Sequence, residues 1–263
     1  MSDALLSGQF VKATRDERHP GVVLVTIDRP PVNALSIEVY EELANVFESF
    51  ARNLDARSVV LTGAGNKAFV AGADVKQLSE RTVKSSLARS AYTRRAFEAI
   101  RYCAIPVTAA VNGPALGAGW VIASVCDLIV ASDKALFALP EIDVGALGAS
   151  RHIARILPEK LMRELALSGK RVDGLFLKQF GAVNEVVPHP DLLIAAYRHA
   201  DMHAAKSPVL MRLRKEGITL TENIPIDEAY RVEQLYTILA ADISDAKEAA
   251  KSVATKSDPK WSK

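Results

Sequence analysis

Apolar residues in the first 150 positions fall into short β-branched runs, separated by longer segments with a helical period. Residues 21–28 (Gly-Val-Val-Leu-Val-Thr-Ile-Asp) predict a strand stopped by Pro30-Pro31. Ser36 stands as the N-cap of a helix over 37–54, with Glu38 and Glu42 in its first turns, where the helix dipole favours carboxylates. A second strand is expected over 58–62, closed by the turn Gly63-Ala64-Gly65-Asn66, and a short third over 68–70. A long helix over 85–103 ends before Pro106. Strand 107–111, helix 117–125 and strands 127–131 and 135–139 follow. The unit of strand, short strand and helix thus recurs roughly three times, an order that reads as turns of a spiral.

After residue 150 the character changes. Segments 151–169, 173–181, 190–206, 208–221, 227–242 and 244–256 read as helices, and only 184–187 reads as a strand. The fold class expected is α/β with helices following, divided into a core over 1–195 and a helical region over 196–263. The Lys-rich tail from Lys247, which includes Trp261, reads as a solvated terminal helix.

Composition narrows the function classes. Hydrophobic residues make up 49% of the 263 positions and charged residues 24%, ordinary values for a globular protein. A net charge of +2 exerts no strong pull on nucleic acid. Cys103 and Cys126 both lie in apolar runs, as reduced core thiols do. The N-terminus carries no secretory signal pattern. The longest apolar run, 110–131, is interrupted by Asn112, Gly113, Pro114, Ser124 and Asp127, which argues against a membrane span. A cytoplasmic location and no metal or separate cofactor are the resulting expectations.

Candidate chemistry concentrates in two loops of small residues. One reads Phe69-Val70-Ala71-Gly72-Ala73-Asp74, the other Val111-Asn112-Gly113-Pro114-Ala115-Leu116-Gly117-Ala118-Gly119. Each joins a strand to a helix, where backbone N–H groups lack partners and small residues allow close approach. Two such loops face to face would hold one developing oxyanion, with Ala73 N–H as a donor and Asp74 capping the next helix. An ordinary tight turn with an Asp cap explains the first loop equally well when it is taken alone. Gly117-Ala118-Gly119 matches only part of a dinucleotide fingerprint, because Ile122 occupies the third small position. Glu141 follows an apolar strand and Pro140, and desolvation there would raise its pKa and suit it to proton transfer. Asp143 would point the opposite way. No G-x-S-x-G elbow, H-E-x-x-H pair or P-loop is present. His19, His189, His199 and His203 read as structural, whereas His152 lies close in sequence to Glu141 at a helix start.

Together these residues resemble the crotonase superfamily, the enoyl-CoA hydratase/isomerase family. The resemblance is carried by Pro31-Val32-Asn33-Ala34-Leu35, residues 61–65, residues 68–74, residues 106–119, Cys126-Asp127-Leu128-Ile129 and residues 137–145. It implies a spiral of ββα turns with a trailing helical trimerisation region, and a homotrimer or dimer of trimers. It also implies an acyl-CoA thioester substrate whose coenzyme A is part of the substrate. The family's oxyanion hole falls on the Ala73 and Ala118 N–H groups, and its coenzyme A contacts on Asn33, Ala34, Leu35, Ala71 and Asp74. Lys256 or Lys260 of a neighbouring subunit is implied to meet the coenzyme A phosphates.

One position departs from the pattern. The first catalytic glutamate of the family's hydratases is replaced by Val121, beside Trp120, while the second is kept as Glu141. A single base with an oxyanion hole suits double-bond isomerisation, in which a proton leaves the α carbon and returns at the γ carbon, and Val121 would keep water off the enolate. Arg151 and His152 replace small residues of the acyl wall and are candidates to stand in for the missing group. The dienoyl-CoA isomerase pattern wants an aspartate near Ala149 and is disfavoured. Hydration at an atypical site and a non-catalytic acyl-CoA-binding paralogue remain the alternatives.

Overall fold

A computed structural model describes residues 4–74 and 81–262. Strands β1 (Ala4–Ser7), β2 (Val11–Arg15), β3 (Val22–Ile27), β4 (Ser58–Gly63), β5 (Val107–Val111), β7 (Leu128–Ser132) and β10 (Glu185–Val187) form one sheet in that order. β1, β2 and β3 pair antiparallel; from β3 to β10 every pairing is parallel. A smaller sheet has the order β6 (Ala115–Leu116), β8 (Leu136–Ala138), β9 (Val172–Asp173).

The central strands are apolar on both faces because both faces are covered. Alternate residues of the same strands divide between two clusters. Val23, Val25, Val59, Leu61, Ala109 and Val111 pack with residues of α1 (Ile37–Ser49) and α2 (Val83–Arg101). Val22, Val60, Ala110 and Val130 pack instead against α7 (Leu192–Ala204), through Leu192, Ala195, Ala196 and Ala200. The expected boundary at residue 195 therefore falls inside a helix that covers the main sheet. Beyond it run α8 (Pro208–Thr221), α9 (Ile226–Ala240) and α10 (Ser244–Thr255). Lys215 of α8 ties this region to the core, since its buried Nζ donates to Ile105 O (2.8 Å) and to Asp127 Oδ2 (2.6 Å). Asp127 also accepts from the Val107 N–H (2.7 Å), so it acts as an anchor at the entry of β7.

Several boundaries differ from the sequence expectation. β1, β2, β6 and β9 were not anticipated, and the short strand expected over 68–70 is reduced to a single bridge between Val70 and Ala115. β2 alternates buried Val11 and Ala13 with exposed Lys12, and its approach is fixed from a distance: the Glu42 carboxylate of α1 accepts the N–H groups of Gln9, Phe10 and Val11. α1 stops at Ser49 rather than continuing to 54, and Ser36 takes the N-cap place without a side-chain capping bond. The helix expected over 151–169 is two pieces, α4 (Ser150–Ile153) and α5 (Glu159–Ser168), because Pro158 has no N–H to continue the first. α6 (Gly174–Lys178) is shorter than the predicted 173–181. No helix among the described residues is long and apolar enough to cross a membrane.

Candidate active site

The two small-residue loops lie side by side, and their backbones hold one another. The Phe69 and Val70 N–H groups both donate to Pro114 O, and the Leu116 N–H donates to Val70 O (3.0 Å). Across the first loop, Leu35 N–H donates to Gly72 O (2.9 Å) and Asp74 N–H to Leu35 O (3.1 Å), a parallel bridge between Leu35 and Ala73. These bonds leave the Ala73 N–H without an acceptor among the described residues. Ala118 is the first residue of α3 (Ala118–Val125), so its N–H is also free of the helix ladder.

The absence of side chains here serves protein–protein contact inside the chain. A Cβ on Gly119 would stand 2.1 Å from Val70 O, and one on Gly117, whose φ is +52°, 2.5 Å from a Glu141 oxygen. The sequence argument assigned the small residues to approach of a ligand; packing of one loop on the other is an additional reason for them.

Ala71, Ala73, Ala118, Val121, Glu141 and His152 all border a single cavity of about 1080 Å³. Glu141 sits on a short 3₁₀ turn, Pro140–Val144, and extends toward Gly117. Its Oε2 is shielded and has no hydrogen-bond partner among the described residues. Burial pushes its pKa above the ordinary carboxylate range, although a backbone N–H partly offsets the effect. Asp143 faces the opposite way, toward Gly169. Val121 belongs to the apolar wall of the same cavity and is itself fully buried.

His152 stands edge-on to Phe97, with ring centroids 5.4 Å apart. Burial, then the charges of Arg155 and Arg101, lower its pKa, so its ring is held neutral. Arg151 is exposed and does not border the cavity. Trp120 does not border it either: the indole is fully buried against Phe137, with centroids 5.7 Å apart.

The residues implied as coenzyme A contacts are more varied. Asn33 is committed to the fold. Its amide donates to the Ala64, Ala68 and Phe69 carbonyls and accepts from the Arg29 N–H, and its φ is +56°. Ala34 O accepts from Arg29 Nη1, and Asp74 pairs with Arg29 Nη2 at 2.6 Å. Leu35 is buried and contributes backbone only. Asp74 as a helix cap concerns residues 75–80, which lie outside the described residues. Lys256 and Lys260 are exposed beyond α10; neither borders the cavity of its own chain.

Sequence reasoning missed one whole wall. α2 lines the cavity with Arg89, Thr93, Phe97 and Arg101, and Tyr40 of α1 joins them. The signal was an i, i+4 row of polar residues interrupted by Phe97, and a mostly polar row ordinarily reads as a solvated helix face.

The sequence pattern of the enoyl-CoA hydratase/isomerase family matches residues 17–263. Among curated proteins, the chain is 39% identical over 221 residues to the (7aS)-7a-methyl-1,5-dioxo-2,3,5,6,7,7a-hexahydro-1H-indene-carboxyl-CoA hydrolase of Mycobacterium tuberculosis, covering 83% of this chain and 88% of that protein. It is 31% identical over 256 residues to carnitinyl-CoA dehydratase of Citrobacter koseri, covering 93% and 96%. Among solved structures, an enoyl-CoA hydratase of Bacillus anthracis superposes with a TM-score of 0.91 at 28% identity, over 96% of this chain and 99% of that one. The match along nearly all of the chain, the shared fold and relatives that process CoA thioesters place this protein in the enoyl-CoA hydratase/isomerase family of the crotonase superfamily, as an acyl-CoA-processing enzyme.

Proposed function

We propose that this enzyme isomerises the double bond of an enoyl-CoA with Glu141 as its single acid–base group. The observation that carries this reading is the cavity's pairing of one shielded carboxylate, whose Oε2 has no partner among the described residues, with Val121, where a second carboxylate would be needed to hold a water. In the proposed step the thioester oxygen sits between the Ala73 and Ala118 N–H groups. The Glu141 carboxylate takes a proton from C2 of a 3-enoyl-CoA, and the electron pair moves onto the thioester oxygen as a dienolate. Glu141 returns the proton at C4, leaving the double bond between C2 and C3. No water is consumed, and the apolar Val121 surface keeps water from competing.

Ala71 and the 33–35 segment would contact the pantetheine arm through backbone, with Asp74 and Arg29 at the edge. Lys256 or Lys260 of a neighbouring subunit would meet the phosphates. Self-association, with a trimer as the assembly proposed, is supported by the apolar side chains that α9 leaves uncovered, Leu235, Ile238 and Leu239 among them.

One observation favours a second reading. The relative at 39% identity is named a hydrolase of a bicyclic dioxo acyl-CoA, and the cavity here is roomy enough for a ring. In that reading a water, held by His152 or by the substrate's own carbonyls, would be consumed in hydrolysis of a cyclic oxo acyl-CoA. A product assay in deuterated water separates the readings. A 3-enoyl-CoA converted to 2-enoyl-CoA without hydration supports isomerisation. A 3-hydroxyacyl product means hydration, and turnover confined to a cyclic oxo acyl-CoA with uptake of water means hydrolysis; either result overturns the first reading.

A further inference from the structure

The cavity runs along α2, and the two ends of that helix differ. Near one end, Arg89 Nη2 donates to Leu35 O (3.2 Å) and its guanidinium lies over the Tyr40 ring. This is the side of the Leu35–Ala73 bridge. Roughly 18 Å further along the helix, at 1.5 Å per residue, Arg101 closes the other end of the cavity. Arg101 Nη2 bonds Glu222 (2.7 Å), and Glu222 also takes Arg155 Nε (2.6 Å). Arg155 Nη1 in turn reaches Ser124 O (3.1 Å). Ser124 lies about 9 Å along α3 from Ala118. The Arg101 end is therefore beyond the oxyanion donor, away from the 33–35 segment, where the far part of an acyl group would extend.

Two guanidiniums share the Glu222 carboxylate, which satisfies only part of their N–H donors. The Arg101 Nε is shielded and has no hydrogen-bond partner among the described residues. Glu98, one turn earlier, also borders this end and is exposed. His152 and Thr93 add polar atoms between Arg101 and the reacting centre. A plain alkyl chain lying here would dehydrate these groups and satisfy none of them.

We infer that this end of the cavity is a polar subsite, centred on Arg101, for an acceptor oxygen carried by the acyl group itself. The substrate class is then an oxygenated acyl-CoA, bearing a carboxylate or a carbonyl well beyond the thioester. The inference rests on the thioester placement proposed above, but not on which reaction follows.

Calorimetric binding of three saturated eight-carbon thioesters, octanoyl-CoA, 7-oxooctanoyl-CoA and suberoyl-CoA, tests it without any turnover. In the wild type, at least one oxygenated ligand is expected to bind about tenfold or more tightly than octanoyl-CoA, the size of a hydrogen bond to a charged group. Suberoyl-CoA in front identifies a carboxylate, and 7-oxooctanoyl-CoA in front a carbonyl. Arg101→Met should erase the difference and Arg101→Lys should keep part of it. Arg155 remains to pair Glu222 in both variants, and a melting curve checks that they fold. Octanoyl-CoA binding as tightly as either oxygenated ligand, or a preference that survives Arg101→Met, overturns the subsite. Failure of all three ligands to bind overturns the acyl-CoA placement as well.

Discussion

At the scale of single residues, Glu141 carries opposite demands from chemistry and stability. Its folded pKa is raised, so its protonated form is the one the fold prefers. As a base it must be ionised, so kcat/KM should fall as pH drops through a pKa above the usual carboxylate range, and a pH–rate profile reads this directly. For stability the sign is reversed. A group with a raised folded pKa stabilises only below its unfolded pKa and loses that contribution as pH rises through the folded value. Glu141→Gln should therefore raise the melting temperature at pH 7, by an amount that shrinks in acid, while turnover falls by about 10²–10⁴-fold. Thermal melts at two pH values beside an activity assay check both halves. A variant that melts lower at pH 7 would contradict the shielded state of the carboxylate. That Glu141, Val121 and the two alanines gather at one cavity was legible from the sequence because each sits in a motif of fixed spacing. Trp120 and Arg151 were not separable from the site by position alone. Helical geometry turns Trp120 into the core and Arg151 into solvent, and adjacent residues on a helix do not share a face.

At the scale of elements, the cradle depends on how closely two loops approach. Gly119→Ala would place a Cβ 2.1 Å from the Val70 carbonyl, and backbone cannot yield there cheaply. A loss of about 1–3 kcal/mol in stability is expected, together with loss of activity as the loops separate. Gly65→Ala is the contrast. Nothing lies within 4 Å of its Cβ but φ is +74°, so strain should lower stability while activity per folded molecule is kept. Denaturant melts and activity on both variants separate clash from strain. The parallel strands and most helices were readable because burial on both faces leaves uninterrupted apolar runs. β2 was not, since it is one-sided and its approach is fixed by the distant Glu42 carboxylate. The α2 wall was missed for a related reason: arginine and serine lining a cavity obey the same period as arginine and serine facing water.

At the scale of the whole molecule, α9 is an unfinished surface. Leu235, Ile238 and Leu239 are 59%, 68% and 62% exposed, a cluster that a lone subunit would leave in water. Ile238→Asp should shift the protein toward monomer in sedimentation velocity, and a wild type that already sediments as a monomer at micromolar concentration would contradict the trimer. If the partner's Lys256 or Lys260 completes the coenzyme A site, the same variant should also weaken coenzyme A thioester binding.

The account as a whole stands on one thioester oxygen lying between the Ala73 and Ala118 N–H groups. The most direct measurement is the infrared stretch of a ¹³C-labelled thioester carbonyl in saturated acyl-CoA bound to the wild-type enzyme. Two backbone donors in a shielded cavity should polarise the bond and move its band to lower wavenumber than in water. A band at or above the position found in water would contradict the cradle, and with it the proton transfer assigned to Glu141.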